Sequence, residues 1–252
     1  MVMKFSLDGK KALVTGGSRG IGRSIAIALA EAGADVAVAS RKPADLEKVA
    51  EEIVKRGVKV LAVPTHVGRL DQIQSMVEKV VDAFESIDIL VNNAATNPTM
   101  ASAIDVDERA WDSIMNLNLK GLFFTSQAVA RIMRERAGGS IINVASIAGI
   151  SPDVLPVYSI SKAAVIHATK VMAGQWASFN IRANCIAPGL IKTDFSRALW
   201  DNPEIRDAAL SITPMGRVGM PDEMAGAVVY FASDAASYVT GQVLALDGGK
   251  TI

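Results

Sequence analysis

Cysteine is almost absent: Cys185 is the single one in 252 residues, so no internal disulfide can form and a disulfide-stapled framework is excluded. It lies in an apolar run (ANCIA) and reads as a core residue. Charge of one sign is equally lacking, since 26 Lys+Arg face 26 Asp+Glu. A net charge near zero offers no general field for nucleic acid or an acidic membrane surface, and neither is expected as a partner. No window approaches the ~18 consecutive apolar residues of a membrane span, and the opening MVMKFSLDGKK has no apolar stretch resembling a signal peptide. No linker, repeat or low-complexity tract marks a second domain. With 50% apolar and 21% charged residues, dominant disorder is excluded as well. The expectation is one soluble, cytoplasmic domain spanning 1–252, without a metal site.

What the chain does have is an alternation. Short apolar, β-branched runs fall at 11–15, 35–40, 58–63, 88–92, 140–145, 181–187 and 242–247. Between them, periodic segments begin near Ile21, Pro43, Leu70, Asp107, Val157 and Pro221. Strands apolar on both faces, separated by helix-length crossovers, predict a parallel sheet covered on both sides. Right-handed crossovers then favour a doubly wound arrangement. The expected class is α/β: a single-domain Rossmann fold with a seven-stranded parallel sheet and helices on both faces. The least patterned stretch, 189–220, follows a strand end and reads as an insertion over the sheet edge, a candidate substrate lid.

In such a sheet, ligands bind beyond the carboxyl ends of the strands. After the first strand comes TGGSRGIG, with Gly16, Gly20 and Gly22 spaced GxxxGxG around Ser18, Arg19 and Ile21. Gly16 allows a tight turn, Gly20 lets the backbone approach a pyrophosphate, and Gly22 permits close helix–strand packing. The following helix offers free N–H groups to the anion. The bland alternative is a glycine-rich turn; the flanking strand and helix argue against it. After the second strand come Ser40, Arg41 and Lys42, where an NAD site would place a carboxylate for the ribose 2′-hydroxyl. Guanidinium groups at Arg41 and Arg19 suit a 2′-phosphate instead, so NADP(H) is the expected cofactor. The later strands end in His66-Val67, Asn92-Asn93-Ala94-Ala95, Ser146 and Pro188-Gly189. Tyr158 and Lys162 lie four apart on a helical segment, one turn from each other on one face. An ammonium beside a phenol should lower the phenol pKa and produce a proton donor or acceptor near neutrality.

TGGSRGIG, NNAA, Asn118-Leu119-Lys120-Gly121, Ser146, Tyr158-x-x-x-Lys162, PGLIKT (188–193) and YVTGQVLALDGG (238–249) together resemble the short-chain dehydrogenase/reductase family. The resemblance covers essentially the whole chain. It implies a catalytic tetrad of Asn118, Ser146, Tyr158 and Lys162. Tyr158 would be the general acid/base, Ser146 would orient the carbonyl, and Lys162 would hold the nicotinamide ribose. Asn118 would fix a water in a proton relay. It further implies that Asn92–Ala95 line the cofactor site, that Pro188, Gly189, Ile191 and Thr193 meet the nicotinamide end, and that the protein is a homotetramer.

Two departures stand out. Where the family has Asp-Val, this chain has His66-Val67; His66 either meets the adenine or is a satisfied loop residue. The last residue of the NNAG-like segment is Ala95. The other histidine, His167, is expected to be packed rather than catalytic. The function implied is NADPH-dependent reduction of small ketone or aldehyde carbonyls, as in the carbonyl and retinal reductases of the family. The alternatives are reduction of 3-oxoacyl groups on an acyl carrier protein and a non-catalytic NADP-binding scaffold. Phe195, Leu199, Trp200, Met215, Pro98 and Met100 are expected to form an apolar lid.

Overall fold

The computed structural model describes residues 5–136 and 138–252; of the opening segment read above for a leader, residues 1–4 lie outside the described residues. Seven strands form one sheet: β1 (Lys11–Thr15), β2 (Asp35–Ser40), β3 (Val60–Pro64), β4 (Ile89–Asn92), β5 (Gly139–Val144), β6 (Ile181–Pro188) and β7 (Val243–Leu246). Their order is β3-β2-β1-β4-β5-β6-β7, and every pairing is parallel. The order reverses between β1 and β4, which opens a crevice at their carboxyl ends.

Each strand serves two cores because successive side chains point to opposite faces. Val14, Val36, Val38, Val91 and Ile142 meet α1 (Gly20–Glu31), α2 (Pro43–Val54) and α9 (Ala225–Ala232), through residues such as Ile25, Leu46 and Phe231. Their neighbours Leu13, Ala37, Leu90 and Ile141 meet α3 (Leu70–Phe84), α5 (Leu122–Glu135) and α6 (Pro156–Trp176), through Met76, Val129 and Val165. This two-sided burial explains why the strands are apolar throughout rather than alternating. No described helix is long and apolar enough to cross a membrane.

Three local features differ from the sequence expectation. The segment beginning near Asp107 is a continuous helical run, in which α4 (Glu108–Met115) passes through a π-helical turn, Asn116–Gly121, into α5. The segment at Pro221 starts as a 3₁₀ turn, Pro221–Met224, and becomes α-helical only at Ala225. The unpatterned stretch after β6 holds two short helices, α7 (Arg197–Trp200) and α8 (Pro203–Ser211). Neither buries any residue fully, so no apolar face marked them in the sequence.

Candidate active site

Beyond the carboxyl ends of the strands lies a cavity of about 710 Å³. Its wall runs from Arg41 and Lys42 after β2, past the glycine loop after β1 and Ser146 after β5, to Pro188 after β6 and Lys250 after β7. The glycine loop has the form the spacing predicted. Gly16 and Gly20 take positive φ values of 65° and 54°. A Cβ on Gly22 would fall on the Gly16 carbonyl oxygen and the Asn93 amide, so only glycine brings α1 this close to the loop. Asn93 Nδ2 donates to the carbonyls of Thr15 and Gly16 at 3.1 and 3.0 Å, tying the β4 end to the loop.

At the β2 end, Ser40 Oγ is buried and has no hydrogen-bond partner among the described residues. Arg41 is exposed, and Lys42 caps α2 without a side-chain cap bond. An unsatisfied buried hydroxyl flanked by two cations suits a phosphorylated ribose, since such an acceptor would both take the hydroxyl proton and pair with the charges. Arg19 also lines the wall, 4.0 Å from Asp194, an exposed and therefore weak pair. His66 is on the wall too, while its Nδ1 accepts from the Gly68 amide at 3.1 Å. It is thus a satisfied loop histidine that still faces the cavity space.

Ser146, Tyr158 and Lys162 come together on the opposite wall. Ser146 Oγ accepts from the Ala148 amide at 3.2 Å, and the Ser146 hydroxyl acts on the Tyr158 phenol, favouring its ionised form. Lys162 is only 2% exposed; its Nζ donates to the Val144 carbonyl at 2.7 Å and stands 5.6 Å from the Tyr158 ring centroid. Phe195, from the stretch after β6, stands against that ring, centroids 5.8 Å apart. Burial pushes the Tyr158 phenol up to about 12, opposed by the Ser146 hydrogen bond and assisted by the Asp153 charge. Burial also brings the Lys162 ammonium down to about 8. The expected lowering of the phenol by Lys162 does not appear. Desolvation dominates the phenol, and the ammonium is anchored on a main-chain carbonyl.

Other expected site residues fall outside the cavity wall. Asn118, on the π turn, is 1% exposed. Its Oδ1 accepts from Thr96 N at 2.8 Å, and its Nδ2 donates to Thr96 O at 3.0 Å and Ser161 Oγ at 3.1 Å. Ser161 Oγ in turn donates to the Tyr158 carbonyl at 2.7 Å. Asn118 therefore positions the Tyr158 helix and the 93–97 loop, and its side-chain amide is committed. Asn92 departs further from its expected place at the cofactor. It is buried between sheet and helix, donating to Ser126 Oγ at 2.8 Å and Asn143 Oδ1 at 2.9 Å, while Asn93, Ala94 and Ala95 line the wall. His167 is exposed rather than packed. Of the expected lid residues, Phe195 and Leu199 line the cavity, whereas Trp200, Met215, Pro98 and Met100 do not. Trp200 instead donates Nε1–H to the Thr193 carbonyl at 2.8 Å. Ser18, Ile21, Val67, Pro188, Gly189, Ile191 and Thr193 are all on the wall. Sequence reasoning missed Leu155, Ile205, Ala209 and Ile212, which complete its apolar part. Cys185 is fully buried, its thiol pushed up to about 11 by burial, as befits an inert core residue.

A glycine loop at the switch point of a doubly wound sheet, sharing one cavity with a Ser–Tyr–Lys cluster, defines a nucleotide-cofactor oxidoreductase. Residues 16–251 match the family described as Enoyl-(Acyl carrier protein) reductase. Dehydrogenase/reductase SDR family member 4 of Bos taurus is 40% identical over 251 residues, covering 99% of this chain and 90% of that protein. The 3-oxoacyl-[acyl-carrier-protein] reductase FabG of Thermotoga maritima is 41% identical, covering 98% and 99%. A solved structure from Agrobacterium tumefaciens, provisionally described as a 2-deoxy-D-gluconate 3-dehydrogenase and holding NADP, matches with a TM-score of 0.91 at 37% identity, covering 98% of each chain. The chain is a member of the short-chain dehydrogenase/reductase family, and an oxidoreductase of that family.

Proposed function

We propose that this oxidoreductase reduces small apolar ketones and aldehydes with NADPH, with Tyr158 as the general acid. The carrying observation is the Ser146–Tyr158–Lys162 cluster on the wall of the cavity that the glycine loop opens. Ser18, Arg19, Arg41, Lys42 and the unpartnered Ser40 hydroxyl would hold the phosphorylated ribose, and the α1 N-terminus the pyrophosphate. Bound in this way, the reduced nicotinamide supplies the hydride. Ser146 donates to the carbonyl oxygen and Tyr158 delivers its proton there. A phenol held near 12 is fully protonated at neutral pH, the form an acid needs. The Lys162 ammonium then faces the phenolate left behind and stabilises it. Asn118 keeps the helix of Tyr158 in register.

The 189–220 segment, with α7 and α8, closes over the substrate and excludes water. The enzyme works in the cytoplasm, in keeping with its lone buried thiol. It assembles as a homotetramer through α4, α6 and β7, where Trp111, Ile160, Val171 and Leu244 stand exposed.

NADPH oxidation, followed by absorbance over a panel of carbonyl compounds, tests the reading. Measurable turnover with any simple ketone would eliminate a non-catalytic cofactor-binding scaffold. The likeness to a carrier-protein reductase favours a second reading, reduction of carrier-bound 3-oxoacyl groups. A kcat/KM at least about tenfold higher for a carrier-bound 3-oxoacyl substrate than for an aryl ketone would make that the better one.

A further inference from the structure

The cavity has one cation that neither the cofactor nor the proton transfer uses. Lys250 lines the wall beyond the end of β7 and is half-buried. Among the described residues no carboxylate pairs with it. Its backbone is held on both sides. Asp247 accepts from Gly249 N at 2.9 Å, from Thr251 N at 2.9 Å and from Thr251 Oγ1 at 2.7 Å. The Met215 amide donates to the Gly248 carbonyl at 3.0 Å, joining this turn to the base of the lid. The nearby carboxylate of Asp247 is thus spent on three donors.

The other charges on the wall are disposed differently. Arg41 and Lys42 follow β2 and Arg19 follows β1, on the far side of the switch point. Lys162 is anchored on Val144. Asp194 is paired with Arg197 at 2.5 Å, and Asp153 accepts from the Leu155 amide at 3.3 Å. Lys250 lies two strands beyond β5, whose end carries Ser146. At ~4.8 Å per strand the ends of β5 and β7 lie roughly 10 Å apart along the sheet, and Lys250 follows β7 by four residues. Leu190, Ile205, Ala209 and Ile212 share the wall at this end, giving an apolar passage closed by a cation.

We infer that Lys250 is a specificity-determining residue that binds the carboxylate of an amphiphilic keto acid, with the reducible carbonyl at one end and the carboxylate at the other. This rests on the carbonyl-reductase reading and narrows its substrate class. A carboxylate arriving there satisfies a cation in a partly dehydrated site, where one charge-assisted hydrogen bond amounts to about a tenfold preference.

The matched probes are 5-oxo-5-phenylpentanoate and its methyl ester, compared by kcat/KM with NADPH. The wild type should prefer the acid about tenfold, mostly through KM. Lys250→Gln should bring the acid-to-ester ratio near one, and Lys250→Glu should invert it. Lys55→Gln, at the far end of α2, should keep the wild-type ratio. Equal use of acid and ester by the wild type, or a preference that survives Lys250→Gln, overturns the inference while leaving carbonyl reduction intact. Binding of the carbonyl-free 5-phenylpentanoate to the NADPH-loaded enzyme, measured by calorimetry, is independent of turnover. Its Kd should rise about tenfold in Lys250→Gln, and an unchanged Kd refutes the role of Lys250 whatever the fate of the catalytic reading.

Discussion

At the scale of single residues, the site turns on a half-buried phenol and a buried ammonium pushed in opposite directions. Tyr158→Phe removes only the hydroxyl that would pass the proton. It should abolish NADPH-dependent reduction while melting temperature and NADPH affinity stay near wild type; a rate above a few per cent of wild type would remove the phenol from the mechanism. Lys162, held down to about 8, binds its proton more weakly in the folded protein than in the unfolded chain. Its buried charge therefore costs stability in full below pH about 8, and that cost fades as pH rises from there toward the ordinary lysine range. Lys162→Met should raise the melting temperature at pH 7 by the equivalent of ~1–2 kcal/mol, after the lost Val144 hydrogen bond is deducted. The same variant should lose most of its reductase rate. In the wild type, reduction should fall as pH passes about 8 and the ammonium discharges. At the β2 end, Arg41→Asp should weaken NADPH by ~2–3 kcal/mol and NADH far less, read by fluorescence titration of each cofactor.

At the scale of elements, the turn between α4 and α5 is a close joint. The π segment places Asn118 against Ser161 and Thr96, and Gly121 lets it rest on the loop after β3. A Cβ on Gly121 would fall on the Val67 carbonyl oxygen, a backbone atom with little room to yield. Gly121→Ala should cost ~1–3 kcal/mol in urea denaturation and lower kcat by displacing Asn118. A π turn has no signature in hydrophobic periodicity, which is why the sequence showed only one long helical segment there. The helices α7 and α8 were hidden for the opposite reason: α8 is capped by Asn202, whose Oδ1 accepts from Glu204 N and Ile205 N, yet it buries no side chain fully.

At the scale of the whole molecule, the sheet order brings the loops after all seven strands to one edge, and a separate set of exposed apolar side chains stands on α4, α6 and β7. Trp111, Ile160 and Val171 stand exposed, with no covering counterpart among the described residues. Light scattering at micromolar concentration should return four times the chain mass. A monomer mass would show that these faces stay in water, and Ile160→Asp should then have no effect on mass or melting temperature.

What the sequence determined on its own was whatever each segment decides locally. The strands were legible because burial on both faces demands continuous apolar runs. The glycine loop was legible because positive φ and close packing admit few other residues. Ser146, Tyr158 and Lys162 were legible as types at a spacing. Only the tertiary structure decided what surrounds them. It withdrew Asn92 into a ladder with Ser126 and Asn143, because β4 is central and its side chains meet α5 and β5 before they reach the cavity. It left His167 on the outer side of α6, where no neighbour packs it away from solvent. It raised the Tyr158 phenol instead of lowering it, because burial depends on Phe195 and a helix far apart in the chain. And it brought Lys250 to the cavity, since a residue near the chain end acquires a role only when the order of strands sets its neighbours.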